Sequence, residues 1–101
     1  MKTAHDYAQQ ALRFAERSFG DEGVDELRRR CAETWQHGYD AKRSGDKRTA
    51  DADESARLEA VDAARQARLS RKRWCTEHAA MCRMFAHAAS WYAGYAAGVT
   101  D

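Results

Sequence analysis

Toward its end the chain reads Ala88-Ala89-Ser90-Trp91-Tyr92-Ala93-Gly94-Tyr95-Ala96-Ala97-Gly98, a stretch of rings and small residues without a charge. It has a counterpart at Ala32-Glu33-Thr34-Trp35-Gln36-His37-Gly38-Tyr39-Asp40-Ala41, so both segments fit A-x-x-W-x-x-G-Y-x-A. On a helix the Trp, the Gly three residues on and the Tyr four on share one face. A large ring beside a bare stretch of backbone suits a second helix crossing close by. Trp35, Gly38, Tyr39, Gly94 and Gly98 are therefore read as helix-packing or dimer contacts. A Gly inside a helix costs roughly 1 kcal/mol relative to Ala, so Gly94 and Gly98 imply a contact that needs them.

Working outward, composition supports the same class. The chain has 101 residues, no Pro, 44% hydrophobic and 33% charged residues. Val and Ile are nearly missing, while Ala, Arg, Glu and Gln abound, which predicts an all-α fold. The length suits a single helical domain over residues 1–101, folded as a small antiparallel bundle of three to four helices. Much of the hydrophobic fraction is Ala, so burial is expected to come from Phe14, Phe19, Leu27, Trp35, Tyr39, Trp74, Met81, Phe85, Trp91, Tyr92 and Tyr95. Such a thin core favours a homo-oligomer, most simply a dimer, or an obligate partner.

Thr3-Ala4-His5-Asp6 resembles a capping box, and an apolar face from Ala4 to Phe19 predicts a first helix over Thr3 to Phe19, stopped by Gly20. A second helix is expected from Asp21 to Arg43, with its stripe on Val24, Leu27, Cys31, Ala32, Trp35, Gly38 and Tyr39. Ser44 to Ala50 reads as the connection, and Asp51-Ala52-Asp53-Glu54 as the acidic start of a third segment. Leu58, Val61, Ala64 and Leu69 mark one face of that segment. Trp74, Cys75, His78, Met81, Cys82, Phe85, Ala88, Ala89, Tyr92 and Ala96 centre on the opposite one. The change falls at Ser70-Arg71-Lys72-Arg73, where the last helix either bends or breaks; four segments are the preferred reading.

The net charge is +1, so any electrostatic role must come from local patches. Arg28-Arg29-Arg30, Lys42-Arg43 and Arg65 to Arg73 are such patches, and adjacent Trp74 offers a ring to a base. Consecutive helical residues fan out over about 200°, so an Arg triplet is not a single face, and nucleic-acid binding is the alternative rather than the leading expectation. Cys75, His78 and Cys82, with Cys31 and His37, are the metal-ligand types present. Cys75 and Cys82 stand seven residues apart, about 10 Å along a helix, too far for both to hold one ion, so no metal or other cofactor is expected. A small Cys/His metal-binding bundle, with His78 beside one of them and Cys31 or another chain supplying the rest, is the second alternative. No phosphate loop, nucleophile elbow or paired-His motif occurs, and the chain is expected to be non-enzymatic. No apolar run approaches the roughly 20 residues that span a bilayer, there is no signal-like leader, and three cysteines leave one unpaired. The expected location is the cytoplasm.

The ending W-Y-A-G-Y-A-A-G resembles the W/F-x-x-G-Y-x-A-G tails of small phage and prophage accessory proteins rich in Ala and Arg, over about a dozen residues. The resemblance implies a chain that binds a host or viral protein in the host cytoplasm, for example an inhibitor of a bacterial defence complex of the anti-CRISPR type. The contact residues expected on that reading are Trp91, Tyr92 and Tyr95, flanked by Arg71, Lys72 and Arg73 for an acidic partner.

Overall fold

The first and third helices begin where a side-chain oxygen accepts from a free backbone amide. In the computed structural model, residues 1–19, 23–73 and 76–100 are described, the side chains of residues 19, 71–73, 76 and 100 excepted. Helix α1 spans Ala4–Phe19, α2 Val24–Arg43, α3 Ala52–Arg73 and α4 Thr76–Thr100. The capping box forms: the Thr3 amide donates to Asp6 Oδ2 at 2.9 Å, and the Asp6 amide to Thr3 Oγ1 at 3.5 Å. Asp51 caps α3 by accepting from the Glu54 amide at 3.1 Å. Helix α2 ends in a Schellman turn, with Gly45 at φ 92° and the Asp46 amide donating to the Ala41 carbonyl at 3.0 Å.

The helices alternate in direction. Arg28 near the start of α2 pairs with Glu16 near the end of α1, and the Ala4 amide donates to Asp53 Oδ1 at 2.6 Å, bringing the starts of α1 and α3 together. The Cys82 thiol donates to the Ala63 carbonyl at 3.2 Å and His78 Nδ1 meets Gln66 Oε1 at 2.7 Å, so α4 runs antiparallel to α3. Helix α2 runs parallel to α4, since Gly94 lies against Trp35 and Tyr39 while Gly98 lies against Tyr39 and Lys42. Helix α4 is central: it packs against all three others, whereas α2 touches α1 only along one edge and, among the described residues, does not reach α3. The bundle measures 42 × 24 × 21 Å, about one long helix in length.

The core is made of alanine. Ala4, Ala8, Ala11 and Ala15 of α1, Ala56, Ala60, Ala63 and Ala67 of α3, and Cys82, Ala86, Ala89 and Ala93 of α4 are buried together, with Leu27 and Cys31 from α2. Their alternating steps of three and four residues form a heptad-like seam. The alanines of α3 follow those of α1 at a constant offset of 52 residues (56 − 4, 60 − 8, 63 − 11, 67 − 15). Side chains this small let helices approach at the short end of the usual range, about 8 Å between axes.

This alanine seam corrects two expectations. The face of α3 marked by Leu58 and Val61 points outward: these residues are 49% and 45% exposed. Leu58 stands about 200° round the helix from Ala56 at 3.6 residues per turn. Met81, expected in the core, is 38% exposed. Where three helices approach this closely a longer side chain does not fit, so the large apolar residues line the margins. Tyr7, Leu12, Phe14, Trp35, Phe85 and Tyr92 are half-buried against the core rather than inside it. Among the described residues, no helix is long and apolar enough to cross a membrane.

Candidate functional site

The two W-x-x-G-Y segments meet inside one chain. A Cβ placed on Gly38 would lie 2.0 Å from the Trp91 carbonyl oxygen, 2.8 Å from its carbon and 3.1 Å from the Tyr95 nitrogen. One placed on Gly94 would lie 1.8, 2.7 and 3.0 Å from the corresponding atoms of Trp35 and Tyr39. The near-equal distances describe a local twofold between α2 and α4, with each glycine seated on the other helix's backbone. The rings follow it: Trp35 stacks on Tyr39 with centroids 5.5 Å apart, and Trp91 on Tyr95 at 5.3 Å. The Tyr95 hydroxyl donates to the Asp46 carbonyl at 2.7 Å and the residue is only 3% exposed.

That geometry relocates the tail aromatics. The uncharged ring of α4, where Tyr92, Ala93 and Ala96 replace Gln36, His37 and Asp40 of α2, faces α1 and α3 of the same chain. Ala93 lies in the core with Tyr92 and Ala96 packed on it. Tyr95 is thus an interior packing residue rather than an exposed anchor, and Trp91 and Tyr92 present only part of each ring. Arg71, Lys72 and Arg73 lie outside the described side chains.

The basic triplet is neutralised locally. Arg28 bonds Glu16 at 2.8 Å, Arg29 bonds Glu26 at 2.6 Å and also Glu33, and Arg30 bonds Glu26 at 2.8 Å. The hydrogen bonds from Arg29 and Arg30 lower the Glu26 pKa to about 2. By contrast, Arg13 and Arg17 on the outer face of α1 are exposed and, among the described residues, make no ion pair.

The metal-ligand types are kept apart. Cys82 faces α3 through Ala63, His78 is held by Gln66, and Cys31 lies beside Ser90, eight residues beyond Cys82 on α4, about 12 Å along the axis. Burial raises the pKa of both Cys31 and Cys82, which favours the protonated thiol. Cys75 lies outside the described residues. His37 lines a cleft of about 260 Å³ with Arg29, Arg30, Glu33, Thr34 and His87. Among the described residues no cluster of three or more His, Cys, Asp or Glu has metal-binding geometry.

One exposed feature was missed from sequence. Val61 and Leu58 on α3, with Met81 and Met84 on α4, are 45%, 49%, 38% and 61% exposed. The pairings of Ala63 with Cys82 and of Gln66 with His78 set residues 81–84 level with residues 61–64, so the four lie at neighbouring levels on adjacent helices. Their borders carry ion pairs, Arg57 with Glu54 at 2.6 Å and Arg65 with Asp62 at 3.6 Å. The signal is present in the steps of three, Leu58 to Val61 and Met81 to Met84, but a hydropathy pattern places Leu58, Val61 and Met81 on the buried faces because large apolar residues outweigh Ala in it. No family model, curated protein or solved structure matches the chain.

Proposed function

We propose that this chain is a non-enzymatic protein-binding module. The observation that supports it is the outward set Leu58, Val61, Met81 and Met84 on a scaffold in which Tyr7, Phe14, Trp35, Phe85, Tyr92 and Tyr95 are engaged in internal packing. Exposed apolar side chains flanked by ion pairs on α3 suit a protein interface, and Met adapts to an irregular partner surface. In its most concrete form the module is a phage-type inhibitor that occupies a surface of a host defence complex, as the tail resemblance implies. The test is affinity capture from host lysate with the full chain and with the Val61→Glu/Met84→Glu variant, beside light scattering of both. Stoichiometric capture lost in the variant supports the reading. Capture that is equal for the two proteins removes it, and a dimer that the variant dissolves identifies a second copy as the occupant.

Nucleic-acid binding is the second reading, favoured by the exposed Arg13 and Arg17, four residues apart on α1 and without an ion pair among the described residues. It would show as a complex weakened steeply by salt and by the loss of those two charges.

A further inference from the structure

At one end of the bundle the starts of α1 and α3 and the ends of α2 and α4 enclose a cleft of about 760 Å³, within the range of sites for small organic ligands. The register explains it. Counting eleven residues from the Cys82–Ala63 contact sets Ala93 level with Ala52 at the start of α3, so the last turns of α4 stand clear of that helix. The wall from α4 is small and apolar, with Ala93 at its buried floor and Ala96, Ala97 and Val99 beside it, and Trp35 borders it from α2.

The charges around the cleft are unequal in availability. Asp51 and Asp53 line it, but their carboxylates accept from the backbone amides of Glu54 and Ala4. Lys42 is different. Gly98 makes room for its stem, since a Cβ there would come within 2.9 Å of Lys42 Cβ, and its ammonium lies 5.2 Å from the centroid of the Tyr95 ring. Among the described residues it makes no ion pair. A stem fixed by packing and a head with no carboxylate within ion-pair distance, Asp46 acting on it only at longer range, present one positioned cation beside an apolar wall.

We infer that this cleft binds an apolar monocarboxylate, its hydrocarbon body against Trp35, Ala96 and Val99 and its carboxylate on Lys42. The body is an acyl chain or an arene; the chemistry is shared. The inference rests on the cleft and not on the apolar set of α3 and α4, so either can fail alone.

The experiment is a titration of the full-length, nitrogen-15-labelled chain, followed by amide chemical shifts. The probes are sodium decanoate, sodium 2-naphthoate and the uncharged 2-naphthalenemethanol. Saturable shifts at residues 35, 42, 93, 96 and 99 are expected with at least one carboxylate, and the tighter of the two identifies the body. The alcohol should bind roughly ten-fold more weakly than naphthoate, the loss of one charge-assisted contact. Lys42→Gln should weaken carboxylate binding by a similar factor, about ten-fold, while Lys42→Arg retains it. Ala96→Leu, which fills the cleft, should remove it with the helical spectrum intact. Shifts that never saturate, that spread over the surface, or that are equal for alcohol and carboxylate overturn the inference. The comparison of probes needs no variant, so a misfolded substitution leaves the answer intact.

Discussion

Gly38 and Gly94 are reciprocal notches: each lies where a methyl group would meet the other helix's Trp carbonyl oxygen at 2.0 or 1.8 Å. Intrinsic propensity favours Ala over Gly inside a helix by about 1 kcal/mol, so a helix in isolation would gain from the change. Here the added carbon collides with backbone, which cannot rotate away. Gly38→Ala and Gly94→Ala are each expected to destabilise the fold by about 2 kcal/mol, the usual cost of overpacking. The melting temperature should fall by roughly 10 °C. A rise in melting temperature for either variant would show that α2 and α4 do not meet as described.

The alanine core reverses the usual ranking of core substitutions. Ala63 is fully buried between helices while Leu58 is half exposed. Ala63→Leu should cost about 2 kcal/mol by forcing helices apart, whereas Leu58→Gln should change stability by less than roughly 0.5 kcal/mol. Denaturant midpoints for the two variants check the order.

Tyr95 ties α4 to the connection after α2 through one hydroxyl. Tyr95→Phe keeps the ring and leaves the Asp46 carbonyl without its 2.7 Å donor. A loss of about 1 kcal/mol is expected, together with faster hydrogen exchange in residues 44–50. Unchanged exchange there would assign the hydroxyl no part in holding the connection.

Two glutamates predict opposite pH behaviour. Burial raises the Glu59 pKa, with the neighbouring Asp62 charge adding to it. A carboxyl whose folded pKa is raised destabilises the fold while ionised, and the fold gains as pH falls through that pKa. Glu59→Gln should therefore raise the melting temperature at pH 7, with the advantage shrinking toward acid. Glu26, at about 2 in the fold through hydrogen bonds from Arg29 and Arg30, behaves the other way. Its contribution is present above the ordinary value of 4.5 and is lost as pH falls toward 2. Glu26→Gln should flatten that acid limb; melting curves from pH 7 to pH 2 report both effects.

Much of this arrangement was legible in the sequence because its signals are local. The capping box at Thr3, the acidic start at Asp51 and the Gly45 stop each act within one turn of chain, and they place the starts of α1 and α3 and the end of α2 to within a few residues. The division between α3 and α4 rests only on the change of apolar face near Ser70. The repeated W-x-x-G-Y also pointed to close helix contact, since a glycine three residues from a tryptophan has few other uses on a helix face. What sequence could not rank was which apolar residues go inside. Leu58, Val61 and Met81 are larger than Ala60, Ala63 and Cys82, and transfer energy alone would bury the larger set. Only the tertiary structure decided the matter, because α1, α3 and α4 converge too closely for anything longer than Ala or Cys. The same closeness turned Tyr95 inward, left Lys42 over its ring beside an open cleft, and set four large apolar side chains on the outside of α3 and α4. Helix positions followed from chemistry within a turn; inside and outside followed from how near the helices could come.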